Sequence, residues 1–529
     1  MPTDCISYQE SGYFSKLIVD YLDEKPELKP FYNRFPKIEN FKDQIIEKQQ
    51  NFSEANRKVL AAELEKQYLN FDISEATQKN IQLLHSKNTF TITTGHQLNL
   101  FTGPLYFIYK IVSTINLCKQ LKETYPNQNF VPVFWMATED HDFEEINYFN
   151  FKSNKIQWKK ESKGPVGRLA TSGLEELLDS FTKELGTSEN ANNLKELFEK
   201  SYLNHSNLAA ATRYLANKLF KEEGLLIIDG DAVSLKKIVS PYLKVELLHQ
   251  TSFDKVTKTA TQLSEYKIQV NPREINLFYI EDDLRERILL ENGTYKVNNS
   301  AITFTPNEIL SELENHPEKF SPNVILRPLY QEFVLPNICY IGGGGELAYW
   351  LELKSNFEAN NTTFPILLLR NSVVIASTKQ AEKATKLGLR FGELFLTQKD
   401  LISQKTKEVS KLSIDFTKQK EALEIQFKEL QAIALQTDKS FIGAVKAQEA
   451  KQIRGLENLE KRLLKAEKRV HTEYLNRIMD LQNELFPNQS LQERKLNFSE
   501  FYLEYGTALI QKLLSELDPL KQEFKVITL

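Results

Sequence analysis

The sequence predicts an α/β body built on a doubly wound parallel sheet with insertions, followed by a long α-helical coiled-coil domain. Three observations carry this expectation. Short apolar runs such as TFTITT from Thr89 and FVPVFWMAT from Phe130 alternate with helix-length segments, as βαβ units require. These runs stay apolar along their length, the mark of strands covered on both faces. From Thr378 to Pro487, Gly and Pro become rare, charges abound, and apolar residues step by three and four.

Composition narrows the function classes. With 529 residues, 41% of them hydrophobic, the chain can bury sizeable cores in several domains, which excludes disordered and collagen-like classes. Lys and Arg number 67 against 71 Asp and Glu, a net charge of −4. That balance offers no global attraction to nucleic acid or an anionic membrane. Cys5, Cys118 and Cys339 are too scattered for a CxxC pair or zinc ribbon and point to a reducing compartment. The start MPTDCISYQE has no basic segment followed by an apolar run, so a cytoplasmic protein without membrane association is expected.

Along the chain, residues 1–88 read as helical, because EANRKVLAAELEKQYL from Glu54 spaces its apolar positions at three and four. Residues 89–376 form the sheet core. Thr89–Thr94 is its first strand, a turn at Thr102-Gly103-Pro104 opens a helix, and Phe130–Thr138 is its second strand. Further strands are expected at LLIID from Leu225, VILR from Val324, ICYIGGGG from Ile338 and FPILLLRNSVVI from Phe364. The interval 150–320 contains polar, loop-rich text around 153–172 and 291–307 and reads partly as insertions. Residues 377–486 form an antiparallel coiled-coil arm. One stripe comprises Val409, Leu412, Phe416, Leu423, Phe427, Leu430 and Ala434, and a second runs through Leu456, Leu459, Leu463, Ala466 and Val470. A break is expected at Thr437, Asp438 and Gly443. Residues 487–529 hold too many aromatics for a surface tail and should fold back on the body.

Three strand-to-helix junctions carry candidate chemistry. Thr94-Gly95-His96-Gln97 ends the first strand, at the sheet edge where open α/β sheets bind ligands. With Thr102 and Gly103, these residues suit an anion held by the next helix's N–H groups, or act as turn and cap residues. Glu139, Asp140, His141 and Asp142, with Glu144 and Glu145, follow the second strand. Five carboxylates around one histidine repel unless an amine or cation compensates. Roles for them include gripping an amine, holding Mg²⁺ on a nucleotide, or proton transfer by His141. Gly342, Gly343, Gly344 and Gly345, followed by Glu346, permit close backbone approach to a ligand, with Arg327, Tyr349 and Arg370 nearby. No HxxxH or CxxC spacing supports a metal centre. The basic segment from Lys446 to Arg469 reads as the solvated flank of the coiled coil, with nucleic acid the lesser reading.

Two blocks, TTGHQLNLFTGPLYFIYKIVSTINL and VPVFWMATEDHDFEEIN, together with RPLYQEFVLPNICYIGGGGELAYW and the LQER segment, resemble the BshC family, the cysteine-adding enzymes of bacillithiol synthesis. The resemblance covers most of the chain and is weakest over 1–88 and 150–320. It implies a Rossmann-like core, a coiled coil that makes a homodimer, and ligation of cysteine to glucosaminyl-malate. It is also similar in architecture to class I aminoacyl-tRNA synthetases, though the HIGH and KMSKS blocks are absent here and TGHQ takes the place of the first.

Joining a carboxylate to an amine in water requires an activated carboxylate, so the resemblance implies ATP (or ADP) as nucleotide, with Mg²⁺ as its companion. In that frame His96 and the helix after Gly103 stabilise charge on phosphoryl oxygens. Asp140, His141 and Asp142 orient the amine or Mg²⁺, and the glycine loop leaves room for adenosine or sugar. Arg327 or Arg370 clamps the malate carboxylates, and Glu493 and Arg494 belong to a further ligand site. Two alternatives are a nucleotidyl or aminoacyl transferase acting on another amine, and a non-catalytic coiled-coil assembly protein whose body binds a metabolite.

Overall fold

The structure, a computed structural model, describes residues 5–529. It divides into two compact units: Ile6–Val374 with Gln492–Lys525, and Ile375–Leu491 with Val526–Leu529.

The first unit is organised by strands β1 (Thr89–His96), β2 (Asn129–Met136), β3 (Leu226–Asp229), β4 (Leu277–Glu281), β5 (Leu284–Glu291), β6 (Thr294–Val297), β7 (Thr303–Phe304), β8 (Phe320–Pro322), β9 (Asn337–Gly342) and β10 (Ile366–Leu369). Five of them form a wholly parallel sheet in the order β10-β9-β1-β2-β3. The chain starts in the middle at β1, moves outward through β2 to β3, then crosses back to β9 on the other side. The point where that direction reverses lies between β1 and β9, so their carboxyl ends open a crevice. The register places His96 beside Met136, and Met136 beside Asp229.

Helix α1 (Tyr106–Thr124) makes the β1-to-β2 crossover and packs on both strands. Its Leu117, Cys118 and Leu121 meet Phe90, Ile92, Phe130, Cys339 and Ile366 from the sheet, joined by Phe41 and Ile45 from the helix Phe41–Asn51. Each such large side chain, fully buried, contributes about 1.5–3 kcal/mol. Cys118 and Cys339 are therefore core residues.

The interval between β3 and β9 differs from the sequence reading. Residues 291–307 were expected as polar loop, but they contribute β6 and β7 to a second, antiparallel sheet of order β7-β6-β5-β4-β8. Their strands are short and half exposed, so no continuous apolar run announces them. The expected strand at Val324 is also corrected. Residues 324–326 turn, and Arg327–Val334 is a helix with Pro328 in its first turn. FPILLLRNSVVI splits into two strands at Arg370-Asn371. The terminal segment 492–525 packs within this unit: Asn497 donates to the carbonyls of Phe101 (2.7 Å) and Gly103 (2.6 Å), and Asn116 to that of Leu517 (2.6 Å).

The second unit is helical. Thr417–Ala434 and Lys439–Val470 form an antiparallel hairpin, clasped by Lys420 to Glu460 at 2.7 Å and Gln431 to Glu449 at 2.5 Å. Phe427, Ala434 and Val445 fill its seam with Leu423 and Ile442. The break falls at residues 435–438, where Asp438 caps the second helix through Ser440 N and Phe441 N. Gly443 lies inside that helix, and Leu412 and Phe416 lie in the connection before Thr417. The expected break at Gly443 and a stripe continuous from Val409 are thus corrected.

Candidate functional site

A cavity of about 1010 Å³ opens at the carboxyl edge of the parallel sheet. It gathers Gly95, His96 and Gln97 at the end of β1, Glu139 and Asp140 after β2, and Gly343, Gly345 and Glu346 after β9. Residues more than 240 positions apart meet because each ends a strand of one sheet.

His96 is 8% exposed, with its ring against Tyr106 and Phe107. Burial, reinforced by the Lys110 charge, pulls its pKa down to about 3, so the imidazole is neutral near pH 7. The ring bonds to the Thr102 backbone, which leaves Nε2 buried with no partner among the described residues. A neutral ring holding that bond offers a lone pair at Nε2. With its N–H committed to Thr102 and its free nitrogen an acceptor, His96 does not fit the expected role of stabilising charge on phosphoryl oxygens. The helix N-terminus after Gly103 is also engaged, because Leu105 N donates to the Leu496 carbonyl at 2.8 Å.

Lys110, buried on α1, donates to the Gly95 carbonyl (2.7 Å) and pairs with Glu346 (2.5 Å). Glu346 also accepts from Tyr340 Oη (2.8 Å) and Gly343 N (2.9 Å). Burial alone would raise the Glu346 carboxyl, but Lys110 and these donors hold it below its ordinary value. Burial lowers Lys110, with Glu346 opposing. The glycine run is thereby fixed by an internal ion pair.

At the second junction Gln97 Nε2 bridges Asp140 (2.9 Å) and Glu145 (2.8 Å), and Asp140 accepts from His141 N at 2.7 Å. Glu139 pairs with the buried Lys236 at 2.5 Å. Three of the five crowded carboxylates are thus shared among one amide, one backbone turn and one lysine. His141 is exposed and lies outside the lining; its Nδ1 accepts from Arg285 at 2.6 Å. Burial and the Arg285 charge lower its pKa. That arrangement suits positioning of Arg285 better than proton transfer. Asp142 is exposed and also outside the lining.

Arg370 and Glu493 form a fully buried bidentate pair, at 2.7 and 3.0 Å. This corrects both of their expected roles: the Arg370 fork that was to clamp malate is filled by Glu493, leaving only Nε without a partner among the described residues. The neighbouring Arg494 faces the cavity and has no ion pair among the described residues. Arg327 lines the cavity beside Tyr349, 3.5 Å from its hydroxyl. Thr94, Thr102, Gly103, Gly342 and Gly344 do not line it. Thr94 Oγ1 donates to the Ile341 carbonyl at 2.7 Å inside the sheet. Gly103 has φ +61°, and a Cβ there would stand 2.5 Å from Asn99 Cβ, so only glycine closes the turn.

Sequence reasoning missed Tyr106, Lys110, Arg273, Arg285 and Arg287, all of which line the cavity. Arg285 and Arg287 stand two apart on β5, so they share one face; the period-2 spacing in LRERILLE was the available signal. Arg285 stacks over Phe278 at 4.1 Å. Among the described residues no group of three or more His, Cys, Asp or Glu side chains could hold a metal ion. Any Mg²⁺ would therefore need most of its ligands from a nucleotide and water.

A parallel sheet with a switch-point cavity, in a chain that also carries a helical hairpin, defines a Rossmann-like protein with a coiled-coil domain. Residues 1–371 match the family model described as the bacillithiol biosynthesis BshC N-terminal Rossmann-like domain, and residues 373–529 match the BshC C-terminal coiled-coil domain. Relatives named for a cysteine ligase, BshC, include those of Flavobacterium johnsoniae (64% identical, 100% of both chains) and Cytophaga hutchinsonii (39%, 97% of this chain and 96% of that one). The relative of that name from Staphylococcus carnosus is 30% identical over 96% of this chain and 97% of its own. The chain belongs to the BshC family. A solved chain from Campylobacter jejuni, titled for an arginyl-tRNA synthetase, aligns at 10% identity over 84% of this chain and 98% of that one, with a TM-score of 0.21, too low to bear on the fold. No described helix is long and apolar enough to cross a membrane.

Proposed function

We propose that this protein is the cysteine ligase of bacillithiol synthesis, joining the cysteine carboxylate to the amine of glucosaminyl-malate with ATP activating the carboxylate. The observation that carries the reading is the large switch-point cavity with an acidic end and an arginine-rich wall, in a chain 64% identical along its whole length to a relative named for a cysteine ligase. ATP would convert the cysteine carboxylate into an acyl phosphate or acyl adenylate, from which phosphate or AMP leaves far more readily than hydroxide when the amine attacks.

In this reading Arg273, Arg287 and Arg494 bind phosphate or malate carboxylates, because guanidinium pairs such oxygens in a fork. Asp140 and Glu145, held by Gln97, receive the amine. His96 Nε2 accepts the proton that the attacking amine sheds, its low basicity raised once a negative substrate group enters. Purified protein given cysteine, glucosaminyl-malate, ATP and Mg²⁺ should yield a thiol of the summed mass less one water. Absence of that product, with candidate auxiliary proteins added, sinks the reading, and pyrophosphate exchange driven by another amino acid favours the transferase alternative.

A cytoplasmic homodimer through the helical hairpin completes the proposal. Its support is the exposed apolar set Leu430, Ile433 and Leu459, at 44, 56 and 52% exposure in a single chain. Light scattering should give twice the chain mass, and Leu459→Asp should halve it.

A further inference from the structure

A second cavity, of about 600 Å³, lies behind the Thr138–Glu139 segment. Thr138 lines both cavities. Gly167 packs so closely on Thr138 that a Cβ would fall 2.6 Å from the threonine Cβ, which fixes the partition between them. Behind it, the buried Lys236 joins Glu139 of the first cavity (2.5 Å) to Asp231 of the second (2.8 Å).

The second cavity contains opposite charges that its own pairs do not exhaust. Arg168 spends its guanidinium on Asp231 (2.7 and 3.0 Å) and Asp282 (3.1 Å). Two groups set back from the rim are left over. Asp229, the last residue of β3, accepts from Thr138 Oγ1 (2.5 Å) and Asp231 N (2.9 Å) through one oxygen only. Arg213, 6% exposed, uses its terminal nitrogens on Gln67, and its Nε is buried with no partner among the described residues. Both line the cavity, yet no ion pair closes between them. Lys163 at the rim adds an exposed cation.

We infer that this second cavity binds a free α-amino acid, its ammonium on Asp229 and its carboxylate toward Arg213 and Lys163. A buried cation and a half-buried carboxylate held apart are each undersolvated, and a zwitterion satisfies both without adding net charge. A simple anion would leave Asp229 unmatched, and a simple amine would leave Arg213 unmatched. The inference does not rest on ligation, since binding is read without turnover.

Calorimetry with L-cysteine, L-serine, cysteamine and 3-mercaptopropionate tests it. The two amino acids should bind, and the two analogues, each lacking one charge, should bind at least tenfold more weakly. Ala210→Trp, which fills the cavity from its wall, should abolish binding, and the exposed Lys163→Glu should weaken it severalfold with an unchanged melting temperature. Glu145→Ala in the first cavity should leave it unaltered. If Ala210→Trp fails to fold, Lys163→Glu decides. Equal affinity for either analogue, loss on Glu145→Ala, indifference to Lys163→Glu, or no heat with either amino acid overturns the inference. A failed ligation assay with intact amino-acid binding would overturn the proposed function alone.

Discussion

The cavity wall made by the parallel sheet and the wall made around the antiparallel sheet differ in how their charges are matched. On the first, Lys110 meets Glu346, Arg370 meets Glu493, and Glu139 meets Lys236, each pair largely out of water. On the second, Arg273 and Arg287 stand without ion pairs among the described residues, as does Arg494 from the terminal segment. Adjacent residues make the contrast sharpest: Glu493 is 1% exposed inside the Arg370 fork, while Arg494 is exposed toward the cavity. Charges consumed inside the protein set the shape of a site, and charges left over are what a ligand can meet.

Breaking a matched charge should have the largest effect. Glu493→Leu strands Arg370 in the interior and should lower stability by about 3–5 kcal/mol in denaturant titrations. An Arg370→Met, Glu493→Leu double variant should recover most of that loss, because the buried charge is then gone.

A smaller effect is expected where the two walls meet. Glu352 accepts from Gln269 N at 2.7 Å and so holds the segment carrying Gln269 and Arg273 against the cavity. Burial pushes its pKa up from 4.5 to about 7. The folded state then binds the proton more tightly than the unfolded chain does, so stability is fullest below about pH 4.5 and falls as pH rises to about 7. Glu352→Gln should remove a slope amounting to about 3 kcal/mol, read from melts across that window.

His96 gives the opposite sign. Its folded pKa of about 3 lies below the ordinary 6.5, so its share of stability is present above 6.5 and lost as pH falls toward 3. Its ring resonances should not titrate between pH 5 and 8 in an NMR series. Removing unmatched charges should disturb the fold least. Arg287→Ala and Arg494→Ala should change stability by under about 0.5 kcal/mol. Each should weaken ATP or malate binding by about tenfold, or about 1.4 kcal/mol, in calorimetry.

The parallel strands were legible because continuous apolar text has few other outcomes, and the three junctions were legible because Gly, His and acids interrupt it abruptly. The antiparallel strands β5 to β7 were not, since half-exposed strands carry as many charges as loops do. At Val324 an apolar tetrapeptide looked like a strand, and Asn323 turned it instead by accepting from Ile325 N and Leu326 N. Arg370 shows a different limit. Its residue type suggested a carboxylate clamp, and it is one, but the carboxylate is Glu493, 123 positions away.

By itself the sequence determined which segments would be strands of a covered sheet, that a charged helical hairpin would follow, and that chemistry-bearing residues sit at strand ends. Those are consequences of local pattern: periodicity, backbone preference and burial of apolar runs. Only the tertiary structure decided which charges cancel and which remain, that His96 is neutral, and that a second cavity lies one dipeptide from the first. Electrostatic matching depends on distances between residues far apart in the chain, and those distances exist only once the chain has folded.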